Sequence, residues 1–439
     1  MAEIDSSDKE KDVPKKSKKL VDDEAQIDRL LDYLREHRLS PVVEVVLAWL
    51  VACACLVYYG YSYIMADRHT DERVPLVTES KNLRRQDLDA ASLQKEILHA
   101  LKDDDVTDDD KSSAILKRIR SDFELKRKVT QFMQAPGCNQ YPLYATLDSI
   151  WKDLLCFPPL YTETNQEHNP HIDLSLIIPA YKESGSQLRQ TLQQAYRMCD
   201  NPDRVQVIIV DAGKCDDLKH LDDGQLSSWG HLRVVRFQPE KESKKSAIGR
   251  GPTLNFGAEH ASGTFLTFLH SDTMVPNHWD TRVIRTLTPQ SSSRLTHACA
   301  FSFGHHTSKE GLSGKPYPWG IRSVFVLGNL RAYLFSLPYG DHIISVPKAY
   351  FHHVGGYPEQ PIMEDYELMD LLRKRAKLLP ERLRIIPPPT GQCSVRRWQT
   401  HGVVYTTLVN VLIVNRYKRG WTPDEIFRYY YQRPSKKKE

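Results

Sequence analysis

The sequence predicts an α/β fold, a mainly parallel sheet flanked by helices, preceded by a helical stem and one transmembrane helix. Three observations carry this. From Asp173 onward, short apolar runs alternate with helix-like segments, the pattern of strand–helix–strand crossovers. Between residues 65 and 171 a charged stretch holds apolar residues at helical spacing. From Val42 to Ile64 the chain is almost wholly apolar. The length of 439 residues corresponds to two or three domains, taking about 150 residues for each. With 40% hydrophobic residues, a wholly disordered chain is excluded. A net charge of +4 is too small for binding driven by bulk attraction to nucleic-acid phosphates. The eight cysteines form no CxxC pair, so neither a zinc site nor a disulfide framework is expected.

Residues 1–41 mix Lys15, Lys16, Lys18 and Lys19 with Asp22, Asp23 and Glu24 and hold few large apolar side chains. This predicts a disordered charged arm with at most a short helix from Ala25 to Arg35. Residues 42–64 are long enough to cross a bilayer once, and Trp49, Tyr58, Tyr59, Tyr61 and Tyr63 supply interfacial aromatics. Glu44, the one acid in the run, is the argument for the opposing reading, a buried core helix. The mostly polar residues ahead of the run disfavour a signal peptide. Arg68, Arg73, Lys81, Arg84 and Arg85 outnumber Arg29, Arg35 and Arg38, which predicts a C-terminal body on the cytosolic side; in a eukaryote the membrane expected is that of the endoplasmic reticulum or Golgi. The absence of any Asn-x-Ser/Thr acceptor agrees with that side. The ending Lys436-Lys437-Lys438-Glu439 resembles a dilysine retrieval signal, with a plain basic tail at 433–439 as the alternative.

In the stem, 65–171, Leu93, Ile97 and Leu101 share one helical face, as do Ile115, Ile119 and Phe123. The aspartates at 103–110 lack the EF-hand spacing and read as a solvated linker. From residue 172 the runs 174–179, 205–210, 232–237 and 265–269 read as strands, with a helix at 186–199 between the first two. Ligands of such sheets bind beyond the carboxyl ends of the strands. There stand Glu183 after the first run, Asp211 after the second and His270-Ser271-Asp272-Thr273 after the fourth. Acids converging on one edge are costly unless a cation joins them, and magnesium or manganese with a diphosphate satisfies that need. Gly249-Arg250-Gly251 then opens a helix whose N-terminus and arginine suit a diphosphate. Glu364-Asp365 follows the Gly355-Gly356-Tyr357 turn at the start of another helix, either as a catalytic base or as a pair that steadies the helix dipole. The turn-rich stretch 304–319 reads as a mobile lid, and the apolar stretch 402–415 as a packed helix or an interfacial one.

LSLIIPAYKE at 174–183, VIIVDAG at 207–213, the segment 249–273 and VPKAYFHHVGGYPEQPIMEDYEL at 346–368 resemble a family 2 glycosyltransferase of the GT-A fold. The pattern is similar to a bacterial-type branch whose metal motif reads His-Ala-Asp-Thr. The resemblance implies a GT-A domain over 172–432 that moves a single sugar from a nucleotide-diphosphate sugar, with a divalent metal (Mn or Mg) and inversion at the anomeric carbon. It implies that Glu183 and Asp211 hold the base and ribose, that Arg250 approaches the diphosphate, and that Asn255 supports that loop. Asp272 becomes the metal ligand, since His270 stands where many relatives carry a first acid. Asp365 becomes the base, with Glu364 as the alternative. In Ser394-Val395-Arg396-Arg397-Trp398, Ser394 replaces the glutamine of processive relatives, so non-processive transfer is expected, with Arg397 at the diphosphate and Trp398 beside the acceptor. Asp211, Asp272 and Asp365 are expected to share one cleft. A lipid, a protein or a small molecule is left open as acceptor. Two other classes stay open: a sugar nucleotidylyltransferase, and a non-catalytic membrane scaffold with a degenerate transferase fold.

Overall fold

The computed structural model describes residues 15–69, 89–101, 115, 118–119, 122–134, 138–156, 172–181, 185–213, 218, 231–238, 249–289, 295–304, 316–378 and 381–432. Glu183, the aspartates at 103–110, most of the 304–319 stretch and the tail 433–439 lie outside them. The first helices are α1 (Lys15–Glu36), α2 (Pro41–His69), α3 (Ala90–Ala100), α4 (Phe123–Gln134) and α5 (Pro142–Cys156). The body begins with β1 (Leu174–Ala180), α6 (Gly185–Arg197), β2 (Val205–Asp211), β3 (Leu232–Arg236), α7 (Arg250–Glu259), β4 (Phe265–Phe268) and α8 (Trp279–Leu287). It continues through β5 (Leu295–Gly304), α9 (Ile321–Phe335), β6 (Ile344–Pro347), α10 (Lys348–His353), α11 (Glu364–Leu378) and β7 (Glu381–Gln392). Helices α12 (Arg396–His401), α13 (Val403–Lys418) and α14 (Pro423–Tyr431) close it.

Among the described residues one sheet runs β3-β2-β1-β4-β6-β5-β7. Strand β1 pairs parallel with both β2 and β4, and β2 pairs parallel with β3. Strand β6 is antiparallel to β4 and β5, and β7 is parallel to β5. The mainly parallel sheet expected from the sequence is present, and all four expected strands lie in its parallel half. Strand β7 carries Pro387, Pro388 and Pro389, which cannot donate to a ladder and are tolerated at this edge. Alternation along β1 sorts the layers. Leu174, Leu176 and Ile178 pack with Leu188, Leu192, Trp279 and Val283 on one face, and Ile177 packs with Leu254 and Ala258 on the other.

Ahead of the body, α3, α4 and α5 enclose a small core of their own around Leu93, Ile97, Leu125, Phe132 and Leu147. Lys126 ties it to the body through Glu367 (Nζ–Oε2 2.6 Å). Within the arm expected to be disordered through residue 41, Lys15–Glu36 forms α1, longer than the expected helix from Ala25 to Arg35, and its second half is docked. Leu31 is buried, and Asp28 takes hydrogen bonds from Arg416 Nη2 (3.2 Å) and Tyr429 Oη (2.7 Å). Arg416 is itself buried, so a carboxylate there offsets a charge that composition alone does not reveal.

Within α2, Pro41–Tyr61 is long and apolar enough to cross a membrane, with a mean hydropathy of 2.2. It also lies against the body. Glu44, Ala48, Ala52, Cys55 and Tyr59 form a buried stripe, and α2 packs on α9 and α13. Both ends are pinned. Glu44 Oε1 accepts from Val403 N (2.7 Å) at the start of α13, and Tyr59 Oη meets Tyr339 Oη at 3.2 Å. Just before α2, Arg38 Nη2 donates to the carbonyls of Gln399 (3.0 Å) and Thr400 (2.8 Å). The opposite stripe, Val42, Val46, Leu50, Val57 and Tyr61, is exposed.

Candidate active site

A cavity of about 450 Å3 opens where β4 ends and β6 begins. Its polar wall carries Arg250, His270, Asp272, Asp341, Asp365, Arg396 and Arg397. Arg250 starts α7, between Gly249 and Gly251. A Cβ on Gly249 would stand 2.1 Å from the Gln360 carbonyl, and one on Gly251 2.4 Å from that of Pro358, so only glycines let this turn seat. Arg250 Nε then meets Glu364 Oε1 at 2.9 Å, and Nη1 lies 3.0 Å from His270 Nε2. Desolvation opposes the guanidinium charge, but Glu364, Asp365 and Asp341 together hold it firmly protonated.

Asp272 sits in the turn after β4, steadied by Thr191 Oγ1 donating to the Ser271 carbonyl (2.8 Å). Met274 and Gln392 exchange backbone hydrogen bonds of 2.8 Å, which bring the end of β7 against this turn. The following residues therefore face Asp272, and Arg396 Nη2 donates to its Oδ2 at 2.8 Å. Asp365 sits in the first turn of α11, just after Met363 at φ 70°, a left-handed conformation uncommon for a methionine. Its Oδ2 accepts from Gly340 N (2.8 Å) and its Oδ1 from Tyr366 N (2.7 Å), which fixes the carboxylate in the cavity.

The sequence-derived residues distribute as follows. Asp272, Asp365, Arg250, Arg397 and Trp398 line the one cavity. Of the three carboxylates expected to share a cleft, Asp272 and Asp365 line this cavity, and Asp211 is not among its described lining residues. Strand β1 lies between β2 and β4, which sets β2 about 10 Å from β4, two strand spacings. Asp211 instead pairs with Arg236 (Oδ2–Nε 3.5 Å) and accepts from Gly213 N at 3.1 Å. Glu364, the alternative base, is buried against Arg250 and does not line the cavity. Burial and the neighbouring Asp365 push its carboxyl upward, against the pull of Arg250. Asn255 clamps the Tyr357 backbone, donating to its carbonyl (2.8 Å) and accepting from its N–H (2.9 Å), so it fixes the turn before α11. Arg397 donates to the Tyr430 carbonyl (3.1 Å) and stacks on that ring, 3.5 Å from its centre. Trp398 Nε1 is buried with no hydrogen-bond partner among the described residues.

Among the cavity residues that the sequence did not point to are Arg331, Tyr339, Asp341 and His342. Asp341 Oδ1 lies 3.4 Å from His270 Nδ1. Burial works against its charge, but His270 and Arg250 hold its carboxyl down at about 2. His342 is fully buried, and its Nδ1–H donates to the Phe301 carbonyl at 2.9 Å. That bond leaves Nε2 with its lone pair, unpartnered among the described residues. Burial and Arg331 push this imidazole down to about 3, so it is neutral. Asp341 and His342 directly precede the apolar run IISVP, but β6 is antiparallel to β4, so the amino end of that run faces the cavity. A rule that looks after each strand misses them.

Among the described residues no three His, Cys, Asp or Glu side chains cluster to hold a metal. Asp272 fits a hard cation as its single protein carboxylate, with phosphate oxygens and water completing the shell.

Residues 175–292, which span β1 to α8, match the family model glycosyl transferase family 2. No curated protein matches the chain. Solved structures similar to it include TarS 1–349 of S. aureus, 14% identical over 56% of this chain and 65% of that one, under two thirds of its length, with a TM-score of 0.35. The mannosyltransferase PcManGT from Pyrobaculum calidifontis, in complex with GDP-Man and Mn2+, is 16% identical over 59% of this chain and 68% of that one, with a TM-score of 0.38. Glucosyl-3-phosphoglycerate synthase from Mycobacterium tuberculosis, in complex with Mn2+, UDP and glucosyl-3-phosphoglycerate, is 13% identical over 55% of this chain and 79% of that one, with a TM-score of 0.32. The sheet and the family match place the body in the GT-A class of fold.

Proposed function

We propose that this chain is a membrane-associated glycosyltransferase that moves one sugar from a nucleotide-diphosphate donor to an acceptor hydroxyl, with inversion and without processive elongation. The observation that carries this reading is the convergence of Arg250, Asp272 and Asp365 on one cavity, drawn from the matched segment and from α11 beyond it. Arg250 faces the departing diphosphate, charged at any working pH because three carboxylates surround it. Asp365 takes the acceptor proton, since both its oxygens are oriented by backbone N–H groups and Glu364 is occupied by Arg250. Asp272 would hold Mn2+ or Mg2+, which when bound neutralises charge on the leaving diphosphate. Arg396 would release Asp272 as that cation enters and could then face the phosphates itself.

Membrane association is assigned to the exposed stripe of α2. Residues before, within and at the far end of this helix all contact one body, so in this reading α2 lies along the bilayer interface instead of crossing it. The test is a donor screen: the full chain in phosphatidylcholine nanodiscs with Mn2+ and a panel of UDP- and GDP-sugars. Release of nucleotide from one donor, lost in Asp365→Asn, is the expected result. Folded protein that neither binds nor turns over any of the donors sinks the reading.

A further inference from the structure

We infer that the acceptor is a lipid drawn from the bilayer, its hydroxyl head at Asp365 and its chain along α9 and α13. This deepens the transferase reading and rests on it. The same cavity that presents Asp365 and Arg250 also takes in the apolar side chains Phe303, Val324, Leu327, Val411 and Val414, with Arg331, Thr407 and Asn410 of the same two helices among them. A polar sugar acceptor has little hydrocarbon to bury against aliphatic side chains. A hydrocarbon chain gains from them in proportion to the area it removes from water. One void that offers both ionisable groups and a set of apolar side chains matches an amphiphile.

The helix that supplies Val324 and Leu327 also carries exposed apolar residues. Val324 and Leu327 line the cavity, while Val326, Leu330, Tyr333 and Leu334 of the same helix face outward and are exposed. Helix α2, packed beside α9, adds its exposed stripe from Val42 to Tyr61. Exposed apolar residues on both helices fit a lipid surface. Gly328 lets α9 seat against Phe303, since a Cβ there would stand 2.3 Å from the Phe303 ring. Tyr59 of α2 lines the cavity and touches Tyr339, whose ring is stacked by Arg331 at 3.6 Å, so the helix assigned to the membrane surface is itself part of the site. A chain lying along α9 and α13 would reach Asp365 beside Val324, Leu327, Val411 and Val414.

The test uses the full chain in phosphatidylcholine nanodiscs with a diacylglycerol probe carrying a diazirine in one acyl chain, and adducts are mapped residue by residue. Adducts at Val324, Leu327, Val411 and Val414 are expected. Free decylglycerol should suppress them at least about tenfold better than butylglycerol, because each buried methylene strengthens binding several-fold. Glycerol should not suppress them at all. Leu327→Trp, which fills the apolar part of the cavity, should remove the Val411 and Val414 adducts. Labelling confined to the outward residues and indifferent to competitor would overturn the inference, as would glycerol competing as well as decylglycerol. UDP and GDP binding, measured in the same nanodiscs, separates the two readings. Nucleotide bound without cavity adducts refutes the lipid acceptor alone. Cavity adducts without nucleotide binding refute the transferase reading instead.

Discussion

Lowering the pH from 7 to 5 withdraws stability from this fold through His342. Its imidazole is buried and held at about 3, against 6.5 for an ordinary histidine. The sign follows from where the proton binds. Below pH 6.5 the unfolded chain protonates this histidine, whereas the folded chain resists until about pH 3. The unfolded state therefore binds more protons across that window, and stability falls as pH falls through it. At pH 5 the gap is 1.5 pH units, so the contribution lost is about 2 kcal/mol at about 1.36 kcal/mol per unit. Urea unfolding of the full chain at pH 7 and pH 5, for the wild type and His342→Gln, reads it directly. The wild type should lose about 2 kcal/mol more than the variant between the two pH values. Equal losses would mean that the imidazole titrates normally in the folded state and that burial does not hold it neutral.

Asp365→Asn should lower sugar transfer by about 10^2-fold or more while UDP or GDP binding and the thermal unfolding temperature stay near wild type, checked by nucleotide-release assay and calorimetry. Arg396→Met frees the Asp272 carboxylate. Because that ion pair is half exposed on the arginine side, the expected gain in Mn2+ affinity is modest, about two- to fivefold, measured by electron paramagnetic resonance titration. Glu44→Ala leaves the Val403 N–H at the start of α13 without its acceptor, a loss of about 1–2 kcal/mol that scanning calorimetry should register, whereas Glu44→Gln should cost much less.

Local pattern was enough to predict the sheet's parallel half. Strands β1, β2, β3 and β4 are short apolar runs ended by turn residues, and that signal is carried by neighbours along the chain. The acids after β4 and at the start of α11 were legible for the same reason, each standing where an apolar pattern stops. What sequence could not supply was strand order and direction. With β1 inserted between β2 and β4, Asp211 is carried away from Asp272, and with β6 antiparallel, Asp341 and His342 are brought in from the wrong end of their run. Both facts depend on pairings between residues far apart in the chain, which leave no local trace. The anchor helix follows the same division. Its apolar length is written in residues 42–64, but hydropathy has no direction. Only packing against α9 and α13 decided which stripe meets the body, giving Glu44 a backbone N–H to accept from and leaving Val42, Val46 and Leu50 outside.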